Sequence, residues 1–354
     1  MSASPAIHRP TGTPGGAPPI AVTMGDPAGI GPDIALMSWL ERSRLELPAF
    51  VLYGDPQVLQ ARARALGATV PIATVASPQE ASTAFAEELP LMPVPASAVD
   101  GDASIVAAIE TAAAAVMHGQ ALALVTNPIA KRTLSAAHLP YPGHTEYLAE
   151  LAARHGGGSR PRPVMMLVAD ELKVVPATVH IPLAAVAKAL TRPLLLETVK
   201  IMAAALTRDF GVADPRIAVT GLNPHAGEGG LIGREEIDVI APAIAELAAE
   251  GLAVTGPHAA DTLFHAEARG TYDAAVAMYH DQALIPLKTL AFDRGVNVTL
   301  GLPFVRTSPD HGTAFALAGT GKARPDSFIA ALRLAQELGR RRQAARGGVG
   351  ASRA

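Results

Sequence analysis

Short apolar runs that alternate with helical segments constrain the fold of this chain more than any other feature. Residues 19–24, 49–53 and 121–126 have the β-branched and apolar composition of buried strands. The spacing of apolar residues between them predicts helices over residues 33–40, 56–66 and 104–117. Strands that alternate with helices in this way predict an α/β fold with a mostly parallel sheet.

Length and composition limit the number of domains and the classes of ligand and site that the chain can have. The chain has 354 residues, of which 49% are hydrophobic and 17% charged, as is typical of a compact enzyme of two domains. Its net charge of −3 gives no general attraction to nucleic acid or to an anionic membrane, so an anionic ligand needs a local basic cluster. The absence of cysteine excludes disulfides, a thiol nucleophile and a thiolate metal site.

Three segments bear on the location of the protein and on the order of its termini. Residues 1–18 are rich in Pro, Gly, Ser and Thr and lack the apolar core of a signal peptide, so we expect a disordered leader. The charge-free residues 111–130 are too polar and too interrupted to span a bilayer, and we therefore expect no membrane association and a cytoplasmic location. We expect the basic, glycine-rich residues 340–354 to fray.

Histidines follow three of the apolar runs. His180 ends the run that begins at residue 172, His280 ends the run that begins at 274, and His225 lies in the glycine-rich loop 221–230. Ligands of open α/β sheets bind outside the carboxyl ends of strands, so the three imidazoles are candidates for one metal site that leaves a position open for substrate. Neutral imidazole suits zinc, cobalt or iron. Each histidine alone is more often a hydrogen-bonded structural residue, and the pattern leaves both interpretations open.

Other polar groups lie at predicted loop and helix ends. His144 and Thr145 open a helix, where they either contact a phosphate or cap the helix. Asp261 is either a base near a metal or a helix cap. Residues 285–308 carry Lys288 and Arg306 among their basic groups, a local excess of two positive charges suited to an anionic ligand. Residues 311–325 form a small-residue loop that allows close approach to a flat or phosphorylated ligand, although no G-x-G-x-x-G pattern is present.

Several motifs together resemble a known family. GDPAGIGP, PGHTEY, GLNPHAGEGG, YHDQALIPLK, GVNVTLGLPFVRTSPDHGTAF and AGTGKA resemble the 4-hydroxythreonine-4-phosphate dehydrogenase family over residues 19–340. Residues 311–325 are also similar to the adenosine-binding loop of isocitrate and isopropylmalate dehydrogenases, which bind NAD without a Rossmann fingerprint.

The resemblance implies an isocitrate/isopropylmalate dehydrogenase-like fold of two α/β/α domains with mostly parallel sheets and an active-site cleft between them. The first domain would comprise residues 19–135 and 290–345 and carry the nucleotide loop. The second would comprise residues 136–289 and carry the metal site and the interface of a homodimer with a shared active site.

The resemblance also implies residue roles. It assigns the metal, expected to be zinc, magnesium or cobalt, to His180, His225 and His280. It assigns the substrate contacts to His144, Thr145, Lys288, Asn297 and Arg306. Catalytic roles fall on Asp261 and Lys288. NAD or NADP would contact His311, Gly312, Thr313, Ala314 and Gly319. One departure is Ala316, where an acidic residue is expected in the nucleotide loop.

The implied reaction is the NAD-dependent, metal-dependent oxidation of 4-phosphooxy-L-threonine. The product is a β-keto acid that decarboxylates to 3-amino-2-oxopropyl phosphate, a step of pyridoxal 5'-phosphate (vitamin B6) biosynthesis. Two alternatives stay open. One is a dehydrogenase of a four-carbon sugar-acid phosphate such as erythronate or threonate 4-phosphate, and the other is a phosphotransacylase or phosphometabolite-binding protein on the same scaffold.

Overall fold

One sheet of 12 strands organises the protein. The computed structural model describes residues 17–94, 101–130, 133, 141, 143–156 and 158–351. The strand order is β3-β4-β2-β1-β5-β12-β11-β6-β7-β10-β8-β9. The strands are β1 (Ile20–Thr23), β2 (Phe50–Gly54), β3 (Ile72–Thr74), β4 (Leu89–Pro93), β5 (Leu124–Thr126), β6 (Val164–Ala169), β7 (Leu172–Pro176), β8 (Ile217–Thr220), β9 (Val254–His258), β10 (Ala274–Ala277), β11 (Val296–Leu300) and β12 (Arg306–Pro309).

The sheet is parallel except at its centre. Pairs β12–β11, β11–β6 and β6–β7 are antiparallel, while all the other neighbouring strands are parallel. Three antiparallel steps in a row reverse the strand direction, so β7, β10, β8 and β9 run opposite to β1–β5 and β12.

Helices cover the sheet. They are α1 (Gly31–Leu40), α2 (Pro56–Ala65), α3 (Pro78–Ala84), α4 (Gly101–Met117), α5 (His144–Gly156), α6 (Val186–Ala189), α7 (Arg192–Arg208), α8 (Ala241–Ala249), α9 (Ala260–Leu263), α10 (Ala266–Arg269), α11 (His280–Ala291) and α12 (Asp326–Ala351). A single π-helical turn, Glu236–Ile240, leads into α8.

Local sequence explains where α2 begins. The Asp55 side chain accepts a hydrogen bond from the backbone N–H of Gln57 at 2.7 Å, and Pro56 occupies the first turn of α2. Every residue of β1, β2 and β10 is buried, as expected for strands covered on both faces. Apolar periodicity and capping residues therefore account for the α/β alternation.

Most strand and helix predictions are confirmed within a few residues. The α/β fold with a large, mostly parallel sheet is confirmed. β5 is shorter than predicted, beginning at Leu124. The predicted division into two domains stays a prediction, because the strands of both parts belong to one sheet. The expected leader lies almost wholly outside the described residues, of which Ala17 is the first.

The expectation that the chain frays from residue 340 is wrong for most of that segment. α12 continues to Ala351, and Arg342, 8% exposed, donates hydrogen bonds to the carboxylate of Asp209 and to the carbonyl of Leu302. The ion pair between Arg342 and the buried carboxylate of Asp209 therefore holds α12 against the rest of the protein. None of the described helices combines the length and apolar character that crossing a membrane requires.

Candidate active site

Two of the three histidines lie together. β7, β10 and β8 are neighbouring parallel strands, so the loops that carry His180, His280 and His225 leave the same edge of the sheet. The rings of His180 and His280 have centroids 5.7 Å apart. His280 Nδ1 lies 2.6 Å from a carboxylate oxygen of Asp281, a contact that orients the ring. The backbone of His180 has a left-handed φ of 52°, which is uncommon outside glycine.

The third histidine lies apart from this pair. Among the described residues, which include all three histidines, no group of three or more His, Asp or Glu side chains is arranged to hold one metal ion. His225 is exposed. The strand-end pattern thus correctly placed the three loops at one edge, but a single chain brings only His180 and His280 together.

The loop that carries His225 has an unusual backbone. Residues 225–229 all have positive φ, with 51° at His225, 50° at Ala226 and 46° at Glu228. Left-handed conformation costs a non-glycine residue roughly 1–2 kcal/mol, so the surrounding contacts must stabilise this turn.

Gln282 joins two of the strand ends. Its side-chain oxygen accepts hydrogen bonds from the Thr220 hydroxyl at 2.9 Å and from the Met278 N–H at 2.7 Å, and its amide donates to the carbonyl of Gly221 at 2.9 Å. The start of the His225 loop is therefore tied to the residues that lead into His280.

A cleft of about 440 Å³ adjoins the histidine pair. This volume lies within the range of small-molecule sites. It is lined by the predicted residues His144, Thr145, His180, His280, Lys288, Asn297, Arg306, His311 and Gly312, together with Thr126, Asn127 and Asp310 among others. The structure therefore brings all five predicted substrate contacts to one cavity.

Among the residues of this cleft, Arg306 indicates most directly which charge a ligand would carry. Its side chain is buried, with 4% exposure, and donates to the hydroxyls of Thr126 and Thr299. No salt bridge joins it to a carboxylate in the described part of the chain. Burial lowers the pKa of Arg306 to about 10, although the charge of Glu146 acts in the opposite direction. A buried guanidinium normally pairs with an anion, so the cleft suits a negatively charged ligand.

Several buried polar atoms of the same cleft have no hydrogen-bond partner among the residues that the structure describes. They include His144 Nε2, His311 Nε2 and the side-chain oxygens of Asn127 and Asn297. Burial, and then the positive charge of Arg306, lower the pKa of His144 to about 3, so its imidazole is neutral at physiological pH. Burial also lowers the pKa of His311. Unpaired buried polar atoms are costly, and several in one cleft are typical of a site that a polar ligand completes.

Lys288 is held in place by Asp310. Its ammonium donates to the backbone carbonyl of Asp310 at 2.7 Å and lies 2.7 Å from the carboxylate of the same residue. The backbone N–H of Asp310 in turn donates a hydrogen bond to the Ser327 hydroxyl at 3.0 Å. Lys288 is thus presented to the cleft by a fixed part of the backbone.

The predicted nucleotide loop packs against the GDPAGIGP turn. Gly319 N–H donates to the buried carboxylate of Asp33 at 2.7 Å, and the carbonyl of Thr313 accepts from the N–H of Ile30 at 3.0 Å. Ala314 has a left-handed φ of 43°. Residues 314–317 are exposed, so the loop offers its backbone to a ligand while its two ends are anchored.

Asp261 lies outside the lining of the cleft. It is exposed, on the short helix α9, which packs against the loop that carries His225. Asp261 therefore lies beside the His225 loop and not in the cleft.

Sequence reasoning missed Thr126, Thr299 and Asp310. Asp310 stands beside His311 in a recognised motif and was within reach of sequence analysis. Thr126 lies 180 positions from Arg306, and nothing in the sequence pattern joins the two.

The chain is similar to known proteins in both sequence and structure. The family model described as pyridoxal phosphate biosynthetic protein PdxA matches residues 46–335. A 4-hydroxythreonine-4-phosphate dehydrogenase from Xanthobacter autotrophicus is 56% identical over 328 residues, covering 90% of this chain and 93% of that protein. The crystal structure of a 4-hydroxythreonine-4-phosphate dehydrogenase from Klebsiella pneumoniae is similar with a TM-score of 0.79 at 38% identity, covering 92% of this chain and 99% of that one. A branched-chain phosphotransacylase from Enterococcus faecalis, with a TM-score of 0.53 at 15% identity and coverage of 90% and 99%, is similar in fold alone.

Proposed function

This chain belongs to the family of the pyridoxal phosphate biosynthetic protein PdxA, and we therefore propose that it oxidises 4-phosphooxy-L-threonine with NAD and a divalent metal. The β-keto acid product then loses carbon dioxide to give 3-amino-2-oxopropyl phosphate. The enzyme is an oxidoreductase, as are its relatives by name. The phosphotransacylase alternative has the support of a shared fold alone.

The buried guanidinium of Arg306, which no carboxylate of the described residues pairs with, carries this proposal. Together with Thr145, Lys288 and Asn297 it would bind the phosphate of the substrate. His144 is neutral, and its buried Nε2, which is unpaired within the described part of the chain, would add one further hydrogen bond. With its phosphate bound beside Arg306, a four-carbon substrate would extend toward His180 and His280, which line the same cleft.

The histidine pair supports a metal site that one chain leaves incomplete. Two imidazoles 5.7 Å apart between centroids supply two ligands, and a catalytic zinc-type site uses three. We propose that His225 of a second copy supplies the third, in a homodimer with a shared active site. Apolar side chains on the loops and helix around these histidines are exposed, as an interface between two copies requires: Ile181 39%, Leu183 71%, Leu231 86% and Ile285 64%.

A bound zinc, magnesium or cobalt ion would act as a Lewis acid and lower the pKa of the substrate hydroxyl. Asp261 is proposed as the base that takes the hydroxyl proton on its carboxylate. Because α9 packs against the His225 loop, Asp261 would enter the site together with His225.

The loop that contains His311, Gly312, Thr313, Ala314 and Gly319 is proposed to bind NAD, which when bound accepts a hydride. The anchored ends at Thr313 and Gly319 keep the exposed backbone between them in place. His311 belongs to the loop and lines the cleft, and its buried Nε2 has no partner among the described residues, so it would contact the cofactor beside the substrate.

Direct assay tests the proposal. NADH formation is measured with 4-phosphooxy-L-threonine and, separately, with erythronate 4-phosphate, each with NAD and with NADP, alongside elemental analysis of the purified protein. We expect turnover of 4-phosphooxy-L-threonine and one metal ion per chain. Faster turnover of erythronate 4-phosphate would show that the sugar-acid phosphate is the substrate. If neither substrate gives reduced cofactor, the proposed reaction is contradicted.

A further inference from the structure

The left-handed turn over residues 225–229 needs a stabilising partner. Three of its residues, His225, Ala226 and Glu228, are not glycine and still have φ between 46° and 51°. Such a turn persists only where neighbouring groups fix it.

Glu236 is a buried group that contacts the residues leading into this turn and Gly227 within it. Its side chain is 3% exposed, and one carboxylate oxygen accepts hydrogen bonds from the N–H groups of Leu222 and Asn223, each at 2.8 Å. The other oxygen accepts from the Asn223 side-chain amide at 2.9 Å. No salt bridge pairs Glu236 with a cation in the described residues, so these backbone and amide donors stabilise its charge.

Two glycines make room for this carboxylate. A Cβ added at Gly221 would lie 2.9 Å from one Glu236 oxygen, and a Cβ added at Gly227 would lie 2.6 Å from the other. Gly227 is inside the left-handed turn, so the turn and the carboxylate are in direct contact. Glu236 also begins the single π-helical turn Glu236–Ile240, a conformation frequent at functional sites.

We propose that Glu236 is a positioning residue, whose carboxylate fixes the left-handed turn so that His225 is presented outward from the sheet edge. Neither the sequence motifs nor the comparisons give Glu236 a role. The inference rests on the proposed function only in giving His225 a ligand's task, while the positioning itself is a property of the metal-free chain.

Amide hydrogen exchange of the metal-free protein is the test. In Glu236→Ala the Leu222 and Asn223 amides lose their acceptor, and we expect their exchange to quicken on the order of 10-fold to 100-fold, as for a lost charge-assisted hydrogen bond. Glu236→Gln keeps an accepting oxygen and is expected to give a smaller change. Asp238→Asn is the matched control, because Asp238 belongs to the same π-helical turn but is exposed and pairs with Arg234.

A second readout separates positioning from general stability. We expect Glu236→Gln to lower kcat for 4-phosphooxy-L-threonine while leaving KM for NAD unchanged, because the hydrogen bonds of the Glu236 side chain in the described residues go to Leu222 and Asn223 and not to the nucleotide loop. Unchanged protection of Leu222 and Asn223 in Glu236→Ala would overturn the inference, as would faster exchange spread evenly over the whole chain. If Glu236→Ala does not fold, Glu236→Gln is measured in the same way. Should the wild-type enzyme show no turnover, the proposed function fails, while the exchange comparison still decides the role of Glu236.

Discussion

The guanidinium of Arg306 lies against the hydroxyl of Thr126, with Nε at 3.1 Å and Nη2 at 2.5 Å from the same oxygen. β5 and β12 are paired in parallel, so the two residues meet across neighbouring strands. A neutral hydroxyl orients the guanidinium without cancelling its charge. Arg306 is therefore fixed and still able to attract an anion.

Replacing Arg306 is expected to weaken phosphate binding. In Arg306→Gln we expect KM for the phosphorylated substrate to rise on the order of 10- to 150-fold, since hydrogen bonds to charged groups contribute about 1.5–3 kcal/mol. Inorganic phosphate should also lose its ability to compete with the substrate. The control is Arg294→Gln, because Arg294 is exposed and pairs with Glu171. An unchanged KM in a folded Arg306→Gln enzyme would remove Arg306 from the phosphate site.

Subunit mixing tests whether the metal site is shared. His180→Ala and His225→Ala should each abolish metal-dependent turnover while leaving the fold intact, and EDTA should abolish it in the wild type. After the two inactive variants are unfolded and refolded together, mixed dimers contain one site with all three histidines, so activity should return. Mixing His180→Ala with His280→Ala is the control that should stay inactive, because both residues come from the same chain. Full activity of His225→Ala after chelation would remove the metal from the mechanism.

The pKa of His144 makes folding stability depend on pH. Its native pKa of about 3 lies below the ordinary value of 6.5, so the unfolded chain binds more protons between these values. Stability is therefore fully present above pH 6.5 and is lost as pH falls below it, with a limit of about 1.4 kcal/mol per pH unit for one histidine. We expect His144→Gln to unfold in urea with a weaker dependence on pH between 5 and 7. The matched control is His155→Gln, measured in the same way at an exposed position of the same helix.

The carboxylate of Asp209 holds α12 through Arg342. Burial would raise the pKa of Asp209, but hydrogen bonds from Arg208 and Arg342 outweigh it and keep the pKa below its ordinary value. Asp209→Asn leaves a buried guanidinium without its counter-ion, and we expect the free energy of unfolding to fall by about 3–5 kcal/mol. Glu337→Gln removes an exposed ion pair on the same helix and should change stability by less than about 1 kcal/mol. Equal urea midpoints for the two variants would contradict this role of Asp209.

Much of the architecture could be read from the chain by itself. Strand and helix alternation, the three strand-end histidines and the small-residue composition of the nucleotide loop are local features, because apolar spacing and glycine placement act over a few residues. The resemblance to a known family, carried by motifs such as GLNPHAGEGG, pointed to five substrate contacts that the structure finds in one cleft.

Tertiary structure alone decided how these local features combine. The strand direction reverses across β12, β11, β6 and β7, and the cleft combines residues from both sides of this reversal, Thr126 at the end of β5 and His180 after β7. The separation of His225 from the pair formed by His180 and His280 has no local signal, nor does the contact of Arg306 with Thr126, 180 positions away. Sequence periodicity reports which residues are buried in each element, whereas the meeting of two side chains depends on strand order, strand direction and the path of every intervening segment.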